Sequence, residues 1–391
     1  MSRSPLSLLP PLSAGFVTVL VGFSSSAALV FQAASAAGAS AAQISSWIWA
    51  LGLAMGLTCI GLSLRYRAPV VTAWSTPGAA LLVSALSGLS LAQATGAFLF
   101  SAALILLAGW SGAFERLMGR IPPALAAALL AGVLVRFGLQ AFQVMGDRLL
   151  LGGAMFLCYL LARRWLPRYC VALVLLAGVL VAAAQGLVDL GGVRLELAAP
   201  VPTWPEFDPR VLLGVGLPLF LVTMASQNLP GVAVLRASGY GAVPVSPVIA
   251  ATGLVNLLLA PFGCYAINLA AITAAICCGP EAHEDPKQRY LASVFAGLFY
   301  LLLGLFGATV AALFAAFPRE LVLALAGLAL FGTLGSGLAA ALHDEQQREP
   351  ALITFLVTAS GLTLAGLGSA FWGMVAGALA LLVLRRGRQR R

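Results

Sequence analysis

Apolar runs of membrane-spanning length recur along almost the whole 391-residue chain. Most of them approach the roughly 20 residues that a helix needs to cross a bilayer. Only 9% of the residues are charged, whereas a soluble domain carries about 25%. Backbone groups in lipid must form their hydrogen bonds within the protein, and helices satisfy that requirement. The sequence therefore predicts an all-α polytopic membrane protein built as one bundle rather than as a string of soluble domains.

We interpret fourteen hydrophobic segments as transmembrane segments. They lie at residues 14–35, 44–64, 70–86, 91–110, 122–144, 149–162, 169–187, 211–235, 244–259, 264–278, 290–314, 320–342, 351–367 and 370–384. If the N-terminus is inside, 17 of the 22 basic residues fall in inside loops or in the termini. Cytoplasmic loops carry such an excess, so both termini are predicted to be cytoplasmic. The arginine-rich tail at 385–391 also accounts for much of the net charge of +9, so no nucleic-acid partner is expected.

The segments divide into seven and seven around a polar loop at residues 189–210, which we expect on the periplasmic side. The halves, 1–188 and 211–391, each hold an odd number of segments, so their topologies are opposite and they form two inverted repeats. The third segment of each half contains or follows a Pro-Gly interruption. Pro and Gly are common in membrane helices, which is the plain explanation for one such segment. Two at corresponding positions of inverted repeats indicate a transporter binding site.

The third segment, residues 70–86, begins with extended-type residues and continues as Ser75-Thr76-Pro77-Gly78. Hydroxyl residues followed by proline are typical of a helix start. We therefore expect a half-helix here and another in the tenth segment, at 264–278. The N-terminal end of such a half-helix carries partial positive charge and points at anionic groups of a substrate. The hypothesis that follows is an anion-binding site.

Polar side chains inside the spans mark candidate site residues, because such groups are costly in a membrane. They are Ser24 and Ser25 in the first segment, Gln227 and Asn228 in the eighth, and Asn268 in the tenth. Each has a structural alternative. The serines can bond to carbonyls of their own helix, the amides can link helices, and Asn268 can cap the half-helix.

No Asp or Glu falls in the middle of a span, so neither a carboxylate sodium site nor a buried proton relay is visible. Arg136 is the one charge within a span, and it is expected to extend towards the outer face rather than pair with substrate. The six cysteines form no CxxC pair, and buried free thiols are the expectation. Both histidines lie in loops, and no enzyme motif appears. We therefore expect no enzyme, no metal and no cofactor.

Long strings in both halves resemble BenE-type benzoate transporters. VGFSSSAALVFQAA and LAGVLVRFGL carry the resemblance in the first half, and SQNLPGVAVLRASGY and PFGCYAINLAAITAAIC carry it in the second. The resemblance implies a proton-coupled symporter for benzoate in the bacterial inner membrane. A more distant similarity to nucleobase and sulfate-type permeases implies short strands before the half-helices of segments three and ten. It also implies a core domain from segments one to four and eight to eleven, and a gate domain from five to seven and twelve to fourteen.

One departure from the nucleobase carriers bears on the substrate. Ile267 occupies the glutamate position of their Tyr-x-Glu-Asn-Ile motif. Losing an acid and gaining apolar surface suits a carboxylate with an apolar body. The resemblance therefore implies a slot for an aromatic ring formed by Trp74, Tyr265 and Ile267. The implied donors to the carboxylate, besides backbone N–H groups of the half-helices, are Ser75, Thr76, Gln227 and Asn268.

The favoured hypothesis is a secondary transporter that imports benzoate with protons by an elevator-like movement of the core against the gate. The proton either travels on the substrate as the neutral acid or uses a group that the sequence does not identify. A permease for another small anion is the alternative within the same class, and an ion channel or a scaffold without transport is the alternative outside it. Expected partners are the substrate, protons and the lipid bilayer, with a homodimer as a candidate assembly.

Overall fold

The computed structural model describes residues 8–112, 114, 122–166, 170–270, 272–280, 282–364 and 369–388. Two short strands and a series of helices make up this part of the chain. The strands are β1 (Thr72–Trp74) and β2 (Ile267–Leu269). The helices are α1 (Leu9–Ala36), α2 (Ala41–Tyr66), α3 (Thr76–Ala85), α4 (Leu91–Trp110), α5 (Pro123–Asp147), α6 (Leu149–Trp165), α7 (Cys170–Ala184), α8 (Pro209–Arg236), α9 (Val245–Leu259), α10 (Ile272–Cys278), α11 (Tyr290–Leu305), α12 (Gly307–Ala315), α13 (Arg319–Leu342), α14 (Arg348–Ser360) and α15 (Ser369–Arg388).

Seven helices within the described ranges are long and apolar enough to cross a bilayer. An eighth is α1, which bends by 43° between Phe23 and Ser26. Each of the fourteen predicted segments coincides with a helix or with a strand followed by a short helix, and the eleventh is divided between α11 and α12. The chain is therefore a helical polytopic membrane protein, while the number of crossings stays a prediction.

The two strands cross at the centre of the bundle and form an antiparallel ladder. Its register pairs Thr72 with Leu269, Ala73 with Asn268 and Trp74 with Ile267. Beyond the strands, the backbone N–H of Ser75 donates to the Ala266 carbonyl at 2.9 Å. A two-stranded ribbon is marginal in water, but here the helices bury it. The helix α3 starts from the end of β1, and α10 follows β2.

The long helices pack in matching pairs. The helix α2 lies along α11, and α4 lies along α9. A second group contains α5, which packs on α13 and α14, together with α6, α7 and α15. In segment order α2 corresponds to α9 and α4 to α11, so exchanging the two halves of the chain turns one pair into the other. The helices α1, α3 and α8 also contact α5 or α13 and so face the second group.

The helix α8 is irregular where its polar residues lie. It contains a π-helical turn at Met224–Asn228, and Pro230 follows directly in the next turn. Proline removes a backbone donor, and π-helical turns are frequent at functional sites. The irregular turn carries Gln227 and Asn228 to the strand crossing, because it packs against β2.

Candidate functional site

A cavity of about 430 Å³ lies between the strand crossing and the second group of helices. This volume is within the range of about 300–1,000 Å³ found for small-molecule sites. The beginnings of both short helices reach the cavity, which gives it the partial positive charge of the α3 N-terminus. Its polar lining residues include Ser26, Thr76, Gln227, Thr273, Tyr300, Tyr159 and Arg163.

Trp74, which the resemblance implies as part of an aromatic slot, forms part of the cavity wall. Its indole Nε1 donates to the Ser26 hydroxyl at 2.7 Å, and that hydroxyl donates to the Gly22 carbonyl at 2.9 Å. Ser26 was absent from the sequence prediction, which named Ser24 and Ser25. The side chains of those two serines lie outside the described part of the structure.

Ser75 and Tyr265 support the start of α3 from behind the cavity wall. The Ser75 hydroxyl accepts from the Gly78 N–H and from the Thr223 hydroxyl, both at 3.0 Å. Its carbonyl accepts from the Tyr265 hydroxyl at 3.2 Å. Both residues are fully buried. Neither of them is among the described residues that line the cavity, whereas Thr76 is. Their hydrogen-bonding groups are thus engaged in positioning the helix start.

Two buried amides hold β2 in place. The Asn228 Oδ1 accepts from the Leu269 N–H at 2.9 Å. Asn256 contacts both backbone groups of Ile267, because its Oδ1 accepts from the N–H at 2.6 Å and its Nδ2 donates to the carbonyl at 3.0 Å. Asn228 was among the predicted site residues, and Asn256 was not. A lone amide in the apolar segment at 244–259 was the available signal.

Asn268 is fully buried at the crossing, and neither of its amide atoms has a hydrogen-bond partner among the described residues. It pairs directly with Ala73, which lines the cavity. Asn268 therefore lies next to the cavity wall, and it is not itself one of the described residues that line the cavity. Ile267, one position earlier, is fully buried opposite Trp74. The unpaired amide offers a donor and an acceptor to a ligand or to water.

Arg163 is the single charged side chain among the described residues that line the cavity. It is exposed and lies in the last turn of α6. Arg163 is one of the basic residues that the sequence places in the predicted inside loops, and nothing in its local sequence relates it to the strand crossing. Its charge makes the mouth of the cavity favourable for anions.

Arg136 is engaged elsewhere. Its Nε donates to the Ala359 carbonyl at 3.2 Å, one residue from the end of α14. A cation at a helix C-terminus is favourable, because the carbonyls there carry partial negative charge. This contact lies away from the cavity lining and gives the intramembrane arginine a structural partner.

A bundle of spanning helices around a cavity at two interrupted segments has the architecture of a polytopic membrane transporter. Comparison with known protein families supports the class of membrane transporters and identifies one family within it. The model of the BenE family, described as benzoate membrane transport protein, matches residues 6–383. The chain therefore belongs to the BenE family of membrane transport proteins.

Two relatives match along almost their full length. The inner membrane protein YdcO of Escherichia coli strain K12 is 53% identical over 375 residues, which is 96% of each chain. The benzoate membrane transport protein of Acinetobacter baylyi is 44% identical over 371 residues, which is 95% of this chain and 94% of the relative. Among solved structures, the transmembrane domain of a cyanobacterial bicarbonate transporter, BicA, superposes with a TM-score of 0.57 at 15% identity and covers 98% of both chains. That likeness shows a shared fold.

Proposed function

We propose that this protein imports benzoate, or a similar aromatic carboxylate, together with protons across the inner membrane. The observation that carries the proposal is the charge and shape of the 430 Å³ cavity beside the strand crossing, which we call the central cavity. Its described lining has an aromatic wall at Trp74, one cation at Arg163 and no acidic side chain. The Acinetobacter relative, which is named as a benzoate transport protein, supports the choice of substrate.

In this proposal the carboxylate lies near the first turn of α3. Free N–H groups of that turn and the side chains of Thr76 and Gln227 donate to its oxygens. Asn268 supplies a further donor, since its amide has no protein partner among the described residues. The ring packs against Trp74 and the apolar side chains of α13 that line the opposite wall. Arg163 concentrates the anion at the cavity mouth.

We further propose fourteen crossings arranged as inverted repeats at 1–188 and 211–391, joined by the loop at 189–210. The exchange of packing partners between α2–α11 and α9–α4 supports this arrangement. Segments one to four and eight to eleven form a core, and the remaining six form a gate. The cavity lies between these groups, as an elevator-like movement of the core along the gate requires. Both termini are cytoplasmic, and the protein is a candidate homodimer.

The proton has two possible carriers in this scheme, the substrate as neutral acid or a separate titratable group. The described cavity lining holds no Asp, Glu or His, which favours the substrate. If benzoic acid is the carried species, initial rates measured at several pH values fall on one curve when plotted against the neutral-acid concentration. A separate proton site instead gives a pH dependence that persists at constant neutral acid.

The test of the function is uptake of labelled benzoate by proteoliposomes with an imposed inward proton gradient. Benzoic acid crosses lipid passively, so protein-free vesicles under the same gradient set the baseline. We expect saturable uptake above that baseline, and collapse of the gradient should abolish accumulation. Uptake equal to the baseline at every gradient would overturn the proposal.

A permease for another small anion is the second candidate, and its support is the fold shared with a bicarbonate transporter. Competition separates the two functions. Excess bicarbonate, sulfate or a dicarboxylate should leave benzoate uptake unchanged if the cavity is selective for an aromatic carboxylate. Inhibition by those anions would favour the second candidate. Conductance in planar bilayers far above carrier turnover would instead identify a channel.

A further inference from the structure

A second and larger cavity, of about 980 Å³, lies at the C-terminal end of α1, whereas the central cavity touches the middle of that helix. The central cavity touches Val21 and Gly22, whereas this one touches Phe31 and Gln32 further along the same helix. Residues of α2, α5, α12, α13 and the loop between the halves complete its walls. The predicted topology puts that loop on the periplasmic side, and we call this space the outer cavity.

A short row of aromatic rings separates the two cavities. The Phe23 ring lies 5.5 Å from Trp74 and 6.3 Å from Phe314, measured between centroids. Phe314 in turn stacks on Phe31 at 4.3 Å with an angle of 21° between the rings. Trp74 lines the central cavity, while Phe31 and Phe314 line the outer one. The Phe23 ring therefore lies between an aromatic lining residue of the central cavity and one of the outer cavity.

The outer cavity also has unused polar groups. The Ser45 side chain is 5% exposed, and its hydroxyl has no hydrogen-bond partner among the described residues. The Gln32 Nε2 is likewise buried without a partner. Leaving such donors unpaired in a buried place is unfavourable, so these groups indicate a ligand or ordered water. Two opposite charges, Arg319 and Glu196, are exposed on the same cavity lining.

We propose that the outer cavity is a second binding site for the transported aromatic carboxylate, which it occupies before reaching the central cavity. The ring packs against Phe31 and Phe314, and the carboxylate accepts from Gln32 and Ser45. Arg319 attracts the anion to this site, and Glu196 opposes it. This inference rests on the proposed function and adds to it a separate location on the substrate path.

Removing each of the two charges should change KM for benzoate in opposite directions, which would not follow if the two residues had only a structural role. Arg319→Gln should raise KM for benzoate by about threefold, and Glu196→Gln should lower it by a similar factor, with kcat unchanged for both. Arg210→Gln is the matched control, because it removes a cation from the predicted outer side without touching the cavity lining. The measurement is the initial rate of labelled benzoate uptake into right-side-out vesicles. At about 1 M salt the differences should shrink, because exposed charges are screened.

A second pair of variants tests the buried hydroxyl. Ser45→Ala should raise KM, whereas Ser101→Ala should leave it unchanged. Ser101 is also buried and its hydroxyl also has no partner among the described residues, but it lies outside the cavity lining. If the unsubstituted protein shows saturable uptake while Arg319→Gln and Glu196→Gln shift KM in the same direction or not at all, the outer site is wrong and the proposed function stands. Absence of saturable uptake by the unsubstituted protein refutes the proposed function and this site together.

Discussion

The indole N–H of Trp74 reaches from the end of β1 to the hydroxyl of Ser26 on α1, with 2.7 Å between the two heavy atoms. Ser26 begins the second part of α1, directly after the 43° bend. The bond therefore ties the bent helix to the strand from which α3 starts. Because Trp74 is also a wall of the central cavity, the position of that wall depends on the bend in α1.

Replacing Trp74 with Phe keeps an aromatic face and removes the N–H. We expect KM for benzoate to rise about fivefold, which corresponds to one hydrogen bond of about 1 kcal/mol. Ser26→Ala should have a similar effect, and the double variant should add little, because both changes remove the same bond. Trp47→Phe is the control, since Trp47 is a buried indole outside the cavity lining. Equal KM values for Trp74→Phe and Trp47→Phe would contradict the assignment.

Asn256 should matter for stability more than any other polar residue of α9. Asn256→Leu leaves the N–H and the carbonyl of Ile267 unpaired in a fully buried place. The expected loss in unfolding free energy is about 2 kcal/mol or more, read as a lower melting temperature of the purified protein. Thr252→Val is the control, because the Thr252 hydroxyl is buried on the same helix but bonds only to the Ile249 carbonyl. If the two variants have the same melting temperature, the role given to Asn256 is wrong.

The local sequence predicted where the helices and the two strands lie. The length of the apolar runs predicted the helices, and the Ser75-Thr76-Pro77-Gly78 sequence predicted the start of α3. The Ser75 hydroxyl does accept from the Gly78 N–H there. These features depend on neighbouring residues in the chain, since spanning length and helix capping are local properties. Predictions of this kind need no knowledge of the other half of the molecule.

Contacts between distant segments could not be obtained in the same way. Ser24, Ser25 and Ser26 differ by about 100° in direction around a helix, and only the position of Trp74 decides which one it meets. The partner of Asn256 and the approach of Arg163 to the cavity likewise depend on tertiary packing. Sequence reasoning also assigned Ser75 and Tyr265 to the substrate, whereas in this structure each is engaged with the start of α3.

Close packing of α2 on α11 should make Gly52 sensitive to substitution. A Cβ at this position would lie 2.7 Å from the Tyr300 carbonyl oxygen and 2.8 Å from the Gly304 nitrogen. Both are backbone atoms, so Gly52→Ala forces the helices apart and should lower the melting temperature strongly. Gly61→Ala on the same helix meets no atom within 4 Å and should stabilise slightly, because alanine favours helix. Equal melting temperatures for the two variants would show that the helices do not approach this closely.

Asn268 separates a ligand role from a structural role, because its amide is buried without a partner while that of Asn228 is used. Asn268→Leu removes two unpaired polar atoms at little change in volume, so the melting temperature should stay constant or rise. Benzoate uptake should nevertheless fall at least tenfold in kcat/KM, since the substrate loses a donor in a buried site. Asn228→Leu is the control and should lower the melting temperature by leaving the Leu269 N–H unpaired. If Asn268→Leu melts as low as Asn228→Leu, the amide has protein partners and its assignment to the substrate fails. Normal uptake by Asn268→Leu would refute that assignment independently of stability.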